Sequence, residues 1–250
     1  LEDIMMQWER RTRATQTGVV AVGLLLTVGG SVAAQSSPPG DSLPTLNEIL
    51  DRYVTAVGGR EAFERLDTRT MMGREIEDRS DLGEPQKKAI QAVAAFPDRW
   101  LITFSDSLAE RQGCDGQVVW ARTGDAPART RDESGRNKMS FLLDPRGPIR
   151  LEEYFPGMQV VGRETRYGHD VYVVHSDLDP THNALSFDVQ SGLLVQIGWF
   201  WTLEDYRDFQ GVKVPTQVAE SQKGGSTTWI FEDVTHNTPV PLETFAVSGG

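Results

Sequence analysis

Residues 185–218 read LSFDVQSGLLVQIGWFWTLEDYRDFQGVKVPTQV. Apolar side chains recur at every second position through much of this stretch, the period of a strand with one face buried. Gln190-Ser-Gly192 and Gln210-Gly211 interrupt the pattern with hairpin chemistry. The spacing predicts strands over 183–189, 193–201, 203–209 and 212–221. No interval between them is long enough for a crossover helix, so neighbouring strands must run antiparallel.

The same period extends in both directions. It predicts strands over 68–78, 86–96, 99–106, 117–122, 158–165, 170–177 and 226–235. Pro97-Asp98, Gly168-His169 and Gly224-Gly225 mark further hairpins. Only residues 138–156 break the meander. There Met139, Phe141, Leu142 and Leu143, then Ile149, Leu151, Tyr154 and Phe155, read as short apolar helices broken at Pro145 and Pro148. Upstream, Thr45-Leu-Asn-Glu48 is a capping box. Behind it Leu46, Ile49, Leu50, Tyr53, Val54 and Val57 recur at helical spacing, Gly58-Gly59 stops the helix, and Arg60 to Leu66 forms a second short one. The fold class is mainly β with α: a long curved antiparallel sheet whose concave face is covered by a few helices, with a hydrophobic helix at the amino terminus.

That amino-terminal helix is GVVAVGLLLTVGGSVAA, residues 18–34, preceded by Arg10, Arg11 and Arg13. The arginines favour the cytoplasmic side, so the following residues are expected to be exported. Val32-Ala33-Ala34 fits a cleavage site, which would leave Gln35 as the first mature residue. As a helix the run spans roughly 25 Å, just short of a hydrocarbon core near 30 Å. Two expectations therefore stand for residues 1–34, a signal peptide or a retained anchor inserted through Val19, Val20, Leu24, Leu25, Leu26 and Val28. Residues 35–44, rich in Ser, Pro and Gly, form a linker, and residues 45–250 form the body.

The net charge is −11. In residues 1–35 the three arginines balance Glu2, Asp3 and Glu9, so the whole excess lies on the body. An acidic body without a Lys/Arg stripe excludes nucleic acid as a partner. Cys114 is the single cysteine, so no internal disulfide, four-cysteine zinc site or haem attachment can form. Its setting, GCDGQ, reads as a turn before a strand. No nucleophile elbow, zinc-protease helix, phosphate loop or dinucleotide fingerprint occurs, and no cofactor or enzymatic activity is expected. His175, Asp177, Asp179 and His182 are the best metal-type cluster, but Asp-Pro-Thr-His-Asn is ordinary hairpin chemistry. The carboxylates Glu152-Glu153, Asp205, Asp208 and Glu232-Asp233 read as solvated faces.

The motifs ILDRYVTAVGGREAFERLDT (49–68), AAFPDRWLITF (94–104), GCDGQVVWAR (113–122), VVGRETRYGHDVYVVHSD (160–177), LSFDVQSGLLVQI (185–197), YRDFQGVKVPTQV (206–218) and FEDVTHNTPVPLETF (231–245) together resemble the periplasmic LolA-like modules, which are similar to the carrier and receptor of outer-membrane lipoprotein sorting. The resemblance implies an unclosed β half-barrel covered by helices. The likeness to a lipoprotein carrier implies a lipid or acyl-chain ligand, and the occurrence of similar modules fused to reaction-centre-type cytochrome c domains implies a protein partner. This chain has no haem motif and would be at most a companion of such a cytochrome.

The aromatic run at 199–201 supplies the candidate site. On one strand Trp199 and Trp201 would share a face, with Met139, Phe141, Leu142 and Phe155 opposite them on the helical cover. That face is expected to be an apolar cavity or a docking patch. The preferred reading is an anchored, non-catalytic module on the periplasmic side of the inner membrane, docking to and stabilising a membrane protein complex, with a photosynthetic reaction centre as one such complex. The alternative is a soluble periplasmic carrier of a lipid or lipoprotein acyl chain, released by cleavage at Ala34.

Overall fold

A computed structural model describes residues 42–81, 83–105, 109–130 and 136–247. The anchor or signal segment, with Val19, Val20, Leu24, Leu25, Leu26 and Val28, lies outside the described residues. Among the described residues no helix is long and apolar enough to cross a membrane.

The chain opens with α1 (Leu46–Ala56) and α2 (Arg60–Glu64). The first is started by the capping box: Thr45 Oγ1 accepts from the Glu48 amide, and the Thr45 amide donates to the Glu48 carboxylate at 2.7 Å. Burial follows the helical period, with Ile49, Tyr53 and Val57 inward. Gly58 then turns the chain at φ +129°, where an added Cβ would stand 2.4 Å from the Gly211 carbonyl oxygen. Only glycine fits an approach that close in that conformation.

The strands β1 (Thr68–Arg79), β2 (Gln86–Ala95), β3 (Arg99–Ser105), β4 (Glu110–Asp115), β5 (Val119–Thr123) and β6 (Arg129–Thr130) follow as a meander. The cover comes next: α3 (Arg136–Leu143), a 3-10 turn over Gly147–Arg150, and α4 (Leu151–Tyr154). The second meander holds β7 (Gln159–Arg166), β8 (His169–His175), the short α5 (Pro180–Asn183), β9 (Leu185–Asp188), β10 (Leu194–Ile197), β11 (Trp201–Phe209), β12 (Val212–Gln222) and β13 (Gly225–His236). All thirteen strands form one antiparallel sheet, ordered β6-β5-β4-β3-β2-β1-β13-β12-β11-β10-β9-β8-β7. The two meanders meet where β1 pairs β13, with Arg69 opposite His236 and Glu75 opposite Trp229. β6 and β7 are free edges, so the sheet is an unclosed half-barrel.

The helices cover one face of this sheet. α1, α2, α3 and α4 contribute Tyr53, Phe63, Phe141 and Tyr154 to a core shared with Leu185, Leu194, Leu203 and Val218 of the second meander. A second cluster under the end of α3 joins Leu143 to Met71, Ile102, Phe104 and Phe231.

Three sequence expectations change. The predicted strand 193–201 ends at Ile197, and a turn over 198–200 separates β10 from β11. Gly198 makes it, with φ +62° and its amide bonded to the Ala184 carbonyl at 2.6 Å. Cys114 lies not in a turn but within β4, fully buried. The DPTHN segment forms α5 rather than a plain hairpin turn.

Candidate functional site

The concave face beneath α3, the 3-10 turn and α4 is a trough of apolar side chains crossed by a buried cation. Arg69 stands in the same phase of β1 as Met71, so the strand period directs it inward. It is 4% exposed. Its Nη1 donates to the Asp144 carbonyl at 3.3 Å and approaches the Leu142 carbonyl at 3.5 Å, and its Nη2 donates to the Pro145 carbonyl at 3.2 Å. All three acceptors belong to the cover. Burial pulls the guanidinium down to about 10, opposed by nearby Asp144 and Tyr53, so it stays charged at neutral pH. A narrow cavity of about 20 Å³ runs beside it, lined by Tyr53, Phe141, Leu142, Leu203 and Tyr206. Burial raises the phenols of Tyr53 and Tyr206, which remain neutral.

The cover is held at two further points. Trp100 Nε1 donates to Ser140 Oγ at 3.0 Å across the interior. At its base Asp144, whose side chain is 1% exposed, accepts from Arg150 Nη1 at 2.6 Å and lies 2.8 Å from the Tyr154 hydroxyl. That hydroxyl is also 2.9 Å from Asp98 on the β2–β3 turn and, with one proton, donates to one carboxylate at a time. Arg146 and Arg150 both lie over the Phe96 ring. The cover is therefore fixed at its 144–154 base and bridged to the sheet at Arg69 and Ser140.

His236 orients Arg69. Arg69 Nε donates to His236 Nε2 at 3.1 Å, which requires a neutral imidazole with its proton on Nδ1. Burial, then the adjacent guanidinium, lowers its pKa from 6.5 to about 4. A group lowered on folding contributes stability that is present above its unfolded pKa and is lost as pH falls towards the folded one. Wild type should lose stability from pH 6.5 down to about 4, by at most about 1.4 kcal/mol per pH unit from this residue. His236→Gln, which keeps an acceptor for Arg69, should show a correspondingly shallower fall in urea midpoints between pH 7 and 5. Equal slopes would show that His236 is not held neutral.

The predicted site residues divide. Trp201, Phe141 and Phe155 are buried in one core cluster, with Met139 and Leu142 partly buried against it. Trp199 is 48% exposed on the 198–200 turn, where Arg166 lies over its ring and the Tyr167 hydroxyl donates to its carbonyl. The Gly198 turn therefore removes Trp199 from the face it was expected to share with Trp201. At the other end of α1, an open hollow of about 380 Å³ is bordered by Leu43, Ile49, Tyr172 and Phe187. Its charged groups serve local structure: Glu48 caps α1, Arg52 donates to the Gln190 carbonyl, and Asp188 holds the following turn.

Among the described residues no three His, Cys, Asp or Glu side chains converge as metal ligands. His182 pairs with Asp179 at 2.5 Å and lies against Phe200. Arg207 pairs with Asp205, while Asp208 accepts the Gly211 amide. Arg69, Asp144 and His236 were not singled out from sequence. The available signal was the phase of Arg69, a cation on the apolar face of an alternating strand.

No protein-family model matches the sequence, and no curated protein matches it. Solved structures do. A DUF1329 family protein from Desulfovibrio piger superposes with a TM-score of 0.55 at 11% identity, over 80% of this chain and 96% of that one. A LolA superfamily protein from Nitrosomonas europaea gives 0.52 at 14% identity, over 82% and 98%. A putative outer membrane lipoprotein-sorting protein domain from Vibrio parahaemolyticus gives 0.51 at 14% identity, over 79% and 94%. The chain has a LolA-like fold.

Proposed function

We propose that this protein is a non-catalytic periplasmic carrier that takes an acyl chain of a lipid or lipoprotein into the trough beneath α3. The observation that carries the reading is Arg69. A buried guanidinium is costly to desolvate, and a structural one is normally matched to a carboxylate. Here it is matched to backbone carbonyls of the cover, through bonds that opening can exchange for water. The surfaces on either side are apolar. A closed trough with little free volume, latched by an exchangeable set of bonds over a fixed base, suits a ligand that enters by displacing the cover. The fold shared with a lipoprotein-sorting domain agrees with this use, and export through residues 18–34 would put the body in the periplasm.

A second reading, docking to a membrane protein complex, is favoured by Trp199 and Tyr167, exposed beside the free edge β7. It requires that residues 18–34 be retained. A mature amino terminus at Gln35, read from the intact mass of the native protein, would end the anchored form of that proposal.

The carrier reading is tested by calorimetric titration of the delipidated protein with palmitic acid and 1-palmitoylglycerol. Dissociation constants of about 1 μM or tighter are expected, with a negative heat-capacity change from apolar burial. No heat of binding, together with no lipid in an organic extract of the native protein, would sink it.

A further inference from the structure

We propose that the indole N–H of Trp201 is a subsite for the carbonyl oxygen of an acyl ester or amide, at one end of the trough. The inference rests on the carrier reading and names the ligand chemistry within it. Trp201 is 7% exposed, and its Nε1 is buried with no hydrogen-bond partner. An indole nitrogen can only donate, so an acceptor is the one group that satisfies it. The neighbouring ring makes the contrast. Trp229 packs edge-on against Trp201 with centroids 6.2 Å apart, and its own Nε1 donates to Glu75 Oε2 at 2.7 Å. Of two indoles in contact, one has its acceptor from the protein and the other does not.

The position of Trp201 fits an acyl carbonyl. Leu203, two residues along the same face of β11, lines the narrow cavity under the cover with Phe141 and Leu142. Beyond Trp201 the surroundings become polar. Glu220 is its ladder partner on β12, and Lys138 of α3 sits with its ammonium 5.5 Å from the ring centroid. Burial lowers the Lys138 pKa, opposed by Glu220 and Asp179. Trp201 thus stands where an apolar lane meets charged side chains, and a chain lying along Leu203 would bring its carbonyl end to the indole. An alkyl ether of the same length fills the same lane but offers a weaker acceptor.

The test compares 1-palmitoylglycerol with 1-hexadecylglycerol by calorimetry, using the full chain, Trp201→Phe and Trp120→Phe. Wild type should bind the ester about tenfold more tightly than the ether, the order expected for one buried hydrogen bond. Trp201→Phe should bring the ratio close to one by weakening the ester alone. Trp120→Phe, which removes another buried indole N–H without a partner, should leave the ratio at about ten. A wild-type ratio of one overturns the subsite while leaving the carrier intact, and needs no folded variant. A tenfold ratio that survives Trp201→Phe also overturns it. If neither ligand binds wild type the subsite fails, and the carrier reading fails with it where an organic extract of the native protein also holds no lipid.

Discussion

Asp144→Ala is expected to lower the unfolding free energy by about 3–4 kcal/mol. For a body of roughly 200 residues this is a fall in Tm of about 6–16 °C. The size follows from what the side chain holds. Its carboxylate meets the Arg150 guanidinium and the Tyr154 hydroxyl, and Oδ1 accepts the Arg146 amide at 2.8 Å. Alanine leaves Arg150, with a side chain 14% exposed, to Asp98 at 3.2 Å and Glu153 at 2.7 Å. Removing one partner of a buried pair costs the desolvation that the pair had offset. Those two remaining carboxylates keep the loss below the largest values known for such sites. Glu153→Ala is the control: its side chain is 60% exposed, and exposed pairs contribute at most about 1 kcal/mol. Urea unfolding of the two variants separates the cases. If Asp144→Ala were as mild as Glu153→Ala, the base of the cover would not depend on the buried carboxylate.

Most of the sheet was legible because its register is written in period two and its turns in Gly, Ser, Asp and Pro chemistry. β12 and β13 agree with expectation to within a residue at each end. So does α1, whose capping box is a purely local device. What was missed depends on contacts distant in sequence. β4 is polar in sequence, Glu-Arg-Gln-Gly-Cys-Asp, and shows no clear alternation. It forms because its neighbours β3 and β5 pair with it along most of its length. Its Gly113 lies so close to the Trp120 ring that an added Cβ would be 2.7 Å away. Trp199 was misplaced because a single glycine ends β10 where the apolar pattern runs on. The apolar residues of the cover and of β11 were legible as a buried set, Trp199 excepted, but the contacts of Arg69 were not. Arg69 lies more than 70 positions before the carbonyls it binds, and backbone carbonyls leave no mark in a sequence.

Arg69→Met should free the cover while leaving the sheet in place. The substitution keeps an unbranched apolar stem in the interior and removes a charge that was costly to bury. It also removes every hydrogen bond from Arg69 to residues 142–145. Hydrogen bonds from a charged donor contribute about 1.5–3 kcal/mol each at good geometry. At 3.2–3.5 Å the set is weaker, and about 2–4 kcal/mol for the group is the working value, a change of roughly 30- to 1,000-fold in the opening equilibrium. Trp100–Ser140 and the Asp144 base remain, so α3 should swing rather than detach. Native-state amide exchange within α3 should therefore accelerate by at least about 30-fold, while amides of β12 and β13 change little. Arg69→Lys preserves the charge but not the planar fork, and one ammonium cannot reproduce its spread of contacts, so it should accelerate exchange less. A second readout is independent of opening. Without the guanidinium beside it, the His236 pKa in Arg69→Met should rise from about 4 towards its ordinary value. The two readouts have different meanings. A shifted His236 with unchanged exchange in α3 would show that Arg69 charges the interior without latching the cover, and the carrier proposal would lose the observation it stands on. Faster exchange in α3 alone, with a matching rise in the dissociation rate of a bound acyl ligand, is the pattern that a latch predicts and a purely structural arginine does not.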